Sequence, residues 1–253
     1  MPQMSALTWM DILLCVSAFA AGALNSVAGG GTFLTFPALV YAGFPPITAA
    51  AVSTVAVLPG YLGGALGFRA ELAALDRRFL LQVAAVSLAG GLVGAKLLLF
   101  TPGTTFLKVV PWLLLFPTAL FALAPRLTAA AKNAGTSPWR LPMLGLVAVY
   151  GGYFNGGLGI LLMAALAMFG VGSLNAINGL KNGISLVLTL TAVVTFAAAG
   201  AIDWKPALYM MAFSAAGGYA GAAAAKATPA GVVRAFVVAV GIGMSGVFFL
   251  RTA

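Results

Sequence analysis

Apolar residues gather in runs along the whole chain, with polar residues between them. The runs cover about residues 11–28, 32–43, 46–68, 78–100 and 105–124. A polar stretch follows from Pro125 to Pro142, carrying Arg126, Lys132, Asn133, Ser137 and Arg140. Runs resume at about 142–156, 160–170, 173–199, 206–226 and 231–250. At roughly 20 residues per crossing, this pattern predicts an all-α, polytopic membrane protein of about eight to ten helical segments.

The two sets of runs share order and length, and they align as an internal repeat. At an offset of 127 residues, Gly43 matches Gly170, Ala49 matches Ala176 and Asp76 matches Asp203. Gly90, Gly91 and Gly94 match Gly217, Gly218 and Gly221, and Thr101-Pro102 matches Thr228-Pro229. Nearer the start the offset drifts by a few residues, pairing Gly31 with Gly159 and Asn25 with Asn155. The expected organisation is a first membrane repeat over 1–125, a cytoplasmic linker over 126–141 and a second repeat over 142–253. Two related halves in a membrane suit a transporter, because alternating access is readily built from them.

Each half opens on an interrupted run. Asn25-Ser-Val-Ala-Gly-Gly-Gly31 breaks the first, and Gly151-Gly-Tyr-Phe-Asn-Gly-Gly-Leu-Gly159 breaks the second. The pieces that follow, about 32–43 and 160–170, are too short to cross a core of about 30 Å as helices. They predict half-helices or re-entrant hairpins. Irregular backbone at membrane depth is tolerated only inside protein or along a wet cavity, and such matched breaks point to a substrate site. If each broken segment returns, every half has an odd number of crossings and the repeats are inverted. If it crosses once, the halves have four crossings each and are parallel. The odd scheme collects Arg69, Arg77, Arg78, Arg126, Lys132, Arg140, Lys226 and Arg234 on one side; the even scheme exchanges the last two for Lys205 and Arg251. Each gives eight against four, so the positive-inside rule does not choose. Both place the linker in the cytoplasm, and the uncharged first ten residues lean toward an outside N-terminus.

Composition narrows the chemistry. Charged residues make up 7% of the chain and mean hydropathy is +1.08, against about 25% charge in soluble domains. The net charge of +9 falls between apolar runs and marks topology, not nucleic-acid binding. There is no histidine, and Cys15 is the single cysteine. The acids Asp11, Glu71, Asp76 and Asp203 all sit at or near segment ends. No metal site, cofactor or acid–base enzyme chemistry is expected, and no P-loop is present. The first run has no Lys or Arg before it and is longer than a typical signal-peptide core, so it is read as a retained helix. Trp9, Trp112, Trp139 and Trp204 fit interfacial belts.

At the first break the sequence becomes familiar. Leu24-Asn-Ser-Val-Ala-Gly-Gly-Gly-Thr-Phe-Leu-Thr-Phe-Pro-Ala-Leu39 resembles the first-repeat signature of the sulfite exporter TauE/SafE family. Asn178-Gly-Leu-Lys-Asn182 is similar to that family's second-repeat Asn-x-x-Lys-Asn segment, and Gly200-Ala-Ile-Asp-Trp204 and Gly217-Gly-Tyr-Ala-Gly221 follow in order. The resemblance covers about residues 12–250. In the second half Gly157-Leu-Gly159 replaces the family's richer glycine run, a departure that bears on the shape of that turn. The resemblance implies transport of sulfite, sulfoacetate or related organosulfonates across the inner (cytoplasmic) membrane, by export or import.

The residues are compatible with an anion. Lys181 is the one charge well inside an apolar run, and intramembrane ionisable residues usually face a bundle interior or cavity; the alternative is snorkelling to the interface. Asn178 and Asn182 flank it, as ligands or as interhelical hydrogen-bonding groups. By the repeat, Thr54 matches Lys181, and with Ser53 it offers hydroxyls that either meet the anion or bond back to the helix. Gly29, Gly30, Gly31, Gly157 and Gly159 present amides before short helices, where oxyanions are attracted, or else permit close packing. Asn25 and Asn155 are read as pore-lining or turn-stabilising. The glycine pairs Gly90/Gly94 and Gly217/Gly221 are read as packing. The expected function is secondary anion transport between the repeats; a passive anion channel shares the site, and a membrane-embedded enzyme lacks the side chains it needs. The coupling ion, H⁺ or Na⁺ if either, and assembly as a homodimer are left open.

Overall fold

The computed structural model describes residues 9–27, 29–131, 139–169, 173–225 and 230–252. Lys132, Asn133, Ser137, Gly170, Gly172, Lys226 and the Thr228-Pro229 pair lie outside them. The described residues are helical, without strands. The first half contains α1 (Trp9–Val27), α2 (Thr32–Tyr41), α3 (Pro46–Gly67), α4 (Arg69–Ala73), α5 (Arg77–Phe100) and α6 (Gly103–Ala131). The second contains α7 (Arg140–Tyr153), α8 (Leu158–Met168), α9 (Leu174–Ala198), α10 (Trp204–Ala225) and α11 (Ala230–Thr252). Five of them, α1, α3, α5, α6 and α9, are long and apolar enough to cross a membrane. At 1.5 Å per residue, α2 and α8, with 10 and 11 residues, reach only about half way.

Local chemistry sets several of the helix starts. Pro46 begins α3 at a position where its missing N–H costs nothing. Asp76 caps α5 by accepting from the Phe79 amide at 2.8 Å, and Asp203 accepts from the Lys205 amide at 3.2 Å at the start of α10. The matched aspartates of the repeat therefore do one structural job, closing orphan amides at equivalent helix starts. Ser173 does the same for α9, 3.2 Å from the Ala176 amide. Helix α6 continues to Ala131, past Pro125, where the polar stretch was expected to begin. Polar residues end an apolar run but need not end a helix.

Contacts fix the directions. Trp9, at the start of α1, meets Tyr41, at the end of α2, ring to ring at 6.3 Å. The first broken segment is thus a hairpin that returns, with α3 starting back at the same face. α1 and α10 run parallel: Asp11 accepts from Tyr209, Phe19 lies against Gly217, and Ala23 against Gly221. α5 and α7 are also parallel: Arg140 lies over the Phe79 ring at 4.9 Å, and Gly90 lies against Ala148. α3 and α9 are antiparallel, with Gly64 facing Asn182 and Phe68 facing Gly179. α6 and α11 are antiparallel as well, with Trp112 on Phe249 at 5.1 Å and Thr118 on Gly241.

α3 and α9, and α6 and α11, thus run opposite to each other, which is consistent with inverted repeats. Helices also pair across the halves: α1 with α10, α7 with α5, and α6 with α11. Arg69, Arg77, Arg78 and Arg140 share one face, hereafter the arginine-rich face. The glycine pairs pack as expected. Gly90 and Gly94 lie against α7, and Gly217 and Gly221 against α1, too close for any Cβ to fit. The core runs through the middle as an aromatic cluster, Phe36 meeting Phe106 and Phe154 edge to face and stacking with Phe248, at 5.3–5.8 Å. Large apolar side chains such as Phe100, Leu146 and Leu250 cover the outside, where lipid takes the place of water.

Candidate functional site

The two breaks meet. A Cβ on Gly29 would lie 2.9 Å from the Gly159 Cα, and one on Gly159 would lie 2.9 Å from the Gly29 Cα. Gly29 (φ +84°) and Gly157 (φ +70°) hold left-handed backbone that other residues rarely adopt. Gly157 also abuts Pro117 of α6, and Gly31 lies against the Ala21 carbonyl of α1. The amides after each break are largely taken up locally: Phe33 N donates to Gly30 O, Leu34 N to Gly31 O, and Ile160 N to Gly157 O, each at 3.0 Å. Gly29, Gly30, Gly157 and Gly159 thus meet across the halves, Gly31 packs on α1 of its own half, and none of the five lines the cavity described next.

That cavity, of about 480 Å³, lies between α1, α3, α9 and α10. Asn25 enters it from α1, and Asn178, Lys181 and Asn182 enter from α9. One wall is the glycine-rich end of α3, and Phe68 and Tyr219 stand at the rim. Lys181 is 4% exposed, Asn25 7% and Asn182 9%. Asn25 Oδ1 is buried without a hydrogen-bond partner, and no hydrogen bond or ion pair to Lys181 is present among the described residues. No carboxylate lines the cavity. Lys181 faces inward instead of running out to the interface. A buried ammonium without a counter-charge is costly, and an anion in this cavity would offset that cost.

Other expected residues stand elsewhere. Ser53 is fully buried and shares a hydrogen bond with Thr35 of α2 at 2.5 Å. Thr54 bonds back to the Ala50 carbonyl at 2.8 Å. Their hydroxyls are consumed inside the helix packing, and neither lines the cavity. The matched asparagines also part ways. Asn25 lines the cavity, while Asn155, at φ +59°, shapes the second break: its Oδ1 accepts from Tyr61 at 3.1 Å and its Nδ2 donates to Thr189 at 3.3 Å. The Tyr150 hydroxyl lies within hydrogen-bonding distance of the carbonyls of both Leu113 and Gly156, to one of which it donates, and ties the same turn to α6.

Two features were missed. Tyr61 is 2% exposed and ties α3 to the second break by donating to Asn155. The α3 wall is Gly60, Gly63, Gly64 and Gly67. Their i, i+3, i+4, i+7 spacing was visible in the sequence as one helix face without side chains. Among the described residues, no three His, Cys, Asp or Glu come together. A second, apolar groove of about 380 Å³ lies between α1, α2 and α11.

Comparison with known proteins agrees with this picture. A family model described as sulfite exporter TauE/SafE matches residues 14–248. A probable membrane transporter protein of Sinorhizobium sp is 30% identical, over 92% of this chain and 89% of its own. One from Haemophilus influenzae is 28% identical over 84% of each chain. The probable membrane transporter protein YfcA of Escherichia coli is 26% identical over 77% of this chain and 72% of its own. No solved structure matches significantly.

Proposed function

The chain belongs to the sulfite exporter TauE/SafE family of membrane transporters, and on that basis we propose that it is a secondary transporter of a small sulfur-containing anion. The anion is sulfite, sulfoacetate or a related organosulfonate, and it crosses the inner (cytoplasmic) membrane by alternating access between inverted repeats. The observation that carries this reading is Lys181: buried, without a counter-charge, and sharing a cavity with Asn25, Asn178 and Asn182. Lys181 supplies the charge and the asparagine amides supply donors to the oxyanion.

The positive-inside rule makes the arginine-rich face cytoplasmic and puts both ends of the described chain outside. The cavity follows α3 down to Gly67 and Phe68, so it is read as the cytoplasm-facing state. Toward the outside we read the path as closed, on the support of the Tyr61–Asn155–Thr189 bonds and the Phe36 cluster. Closure on one side favours a carrier over a passive channel.

The test is sulfite and organosulfonate flux in proteoliposomes, wild type against Lys181→Ala. Loss of flux in the variant and acceleration by anion on the far side are expected. Unchanged flux in the variant would sink the site, absence of any sulfur-anion flux would sink the substrate class, and flux indifferent to far-side anion would indicate a channel.

A further inference from the structure

The four glycines of the α3 wall do two different things. Gly60 and Gly64 sit under the asparagines: a Cβ at Gly60 would lie 3.2 Å from Asn25 Nδ2, and one at Gly64 would overlap the Asn182 amide. These two make room for ligand-facing side chains of the protein itself. Gly63 and Gly67 also line the cavity, yet a Cβ at either meets nothing within 4 Å. They make room for something else.

Their counterparts at the repeat offset are Leu190 and Val194, so the second half carries bulk where the first carries none. The cavity, at about 480 Å³, falls in the range of pockets that enclose ligands of drug size, roughly 300–1,000 Å³. A bare sulfite ion, one sulfur and three oxygens, fills a small part of that. The polar groups, Lys181 and the asparagines, hold one end, while Gly63, Gly67 and Phe68 lead away from them toward the rim.

Resting on the anion-transport reading above, we infer that Gly63 and Gly67 set substrate size, by keeping open the part of the cavity that receives an uncharged organic tail. The preferred substrate is therefore a sulfonate with a tail of several atoms, its head at Lys181 and its tail along the bare face of α3. An ordered water cluster does not need that face bare, since alanine would leave it room.

The experiment measures proteoliposome uptake of methanesulfonate and propane-1-sulfonate, which share a head group and differ only in tail. Wild type is expected to carry both. Gly63→Val and Gly67→Val should lower the ratio of propane-1-sulfonate to methanesulfonate uptake by about tenfold or more, the scale on which a pocket reads a few methylenes. Gly63→Ala should fall between, and its ratio decides if the valine variants do not fold. An unchanged ratio overturns the inference. So does a wild type that carries sulfite and methanesulfonate but not propane-1-sulfonate, and this leaves the transport reading intact. A wild type that carries no sulfur anion refutes that reading, and the size inference with it.

Discussion

Removing one oxygen at Tyr61 should loosen the second break. In Tyr61→Phe the buried Asn155 Oδ1 loses its donor, at a cost of about 1–3 kcal/mol. At about 2–4 °C per kcal/mol for a chain of this size, the expected result is an unfolding midpoint lowered by several degrees in detergent. An unchanged midpoint would mean that Asn155 finds another donor. Tyr61 was illegible in the sequence because it sits in an apolar run and its partners come from other segments. That Lys181 faces a cavity could be anticipated, because a cation inside such a run has few reasons to be there. Ser53 and Thr54 were misplaced for a related reason. The repeat maps backbone onto backbone, so Thr54 occupies the place of Lys181 in the fold without inheriting its surroundings.

At the scale of helices, nearly every element could be read from where the apolar runs stop, since glycine and proline at the breaks do the stopping. The short α4 escaped, being too brief to show periodicity. The direction of α2 also escaped, because either crossing scheme divides the charges equally. The Trp9–Tyr41 contact supplies what the charges did not, and it can be checked in the membrane. In a Cys15→Ser background, single cysteines at Trp9 and Tyr41, both more than half exposed, should react with an impermeant maleimide from the same side. Labelling from opposite sides would restore the single-crossing scheme and with it parallel repeats.

Taken as a whole, the molecule is interleaved. α1 and α7 lay their carbonyls against glycines of α10 and α5, helices that belong to the other half. Neither half alone can cover these faces. Residues 1–131 and 139–253 produced separately should each be unstable, and co-expression should restore a complex that purifies together. A first half that is stable and monodisperse by itself would contradict this. The matched glycines and aspartates suggest a repeat with which the helix directions are consistent, but the exchange of partners could not be read from them, since sequence similarity says which helices are alike and not which ones touch.

The parallel pairing of α1 with α10 also bears on how the protein is made. Asp11 and Tyr209, which bond in the finished protein, are 198 residues apart. At about 5–20 residues per second of synthesis, α1 enters the bilayer roughly 10–40 s before its partner exists. During that interval its small-residue seam faces lipid, or whatever the insertion machinery offers in place of α10. The first helix to arrive is among the last to be seated, and the ribosome's pace sets how long the nascent chain must be sheltered.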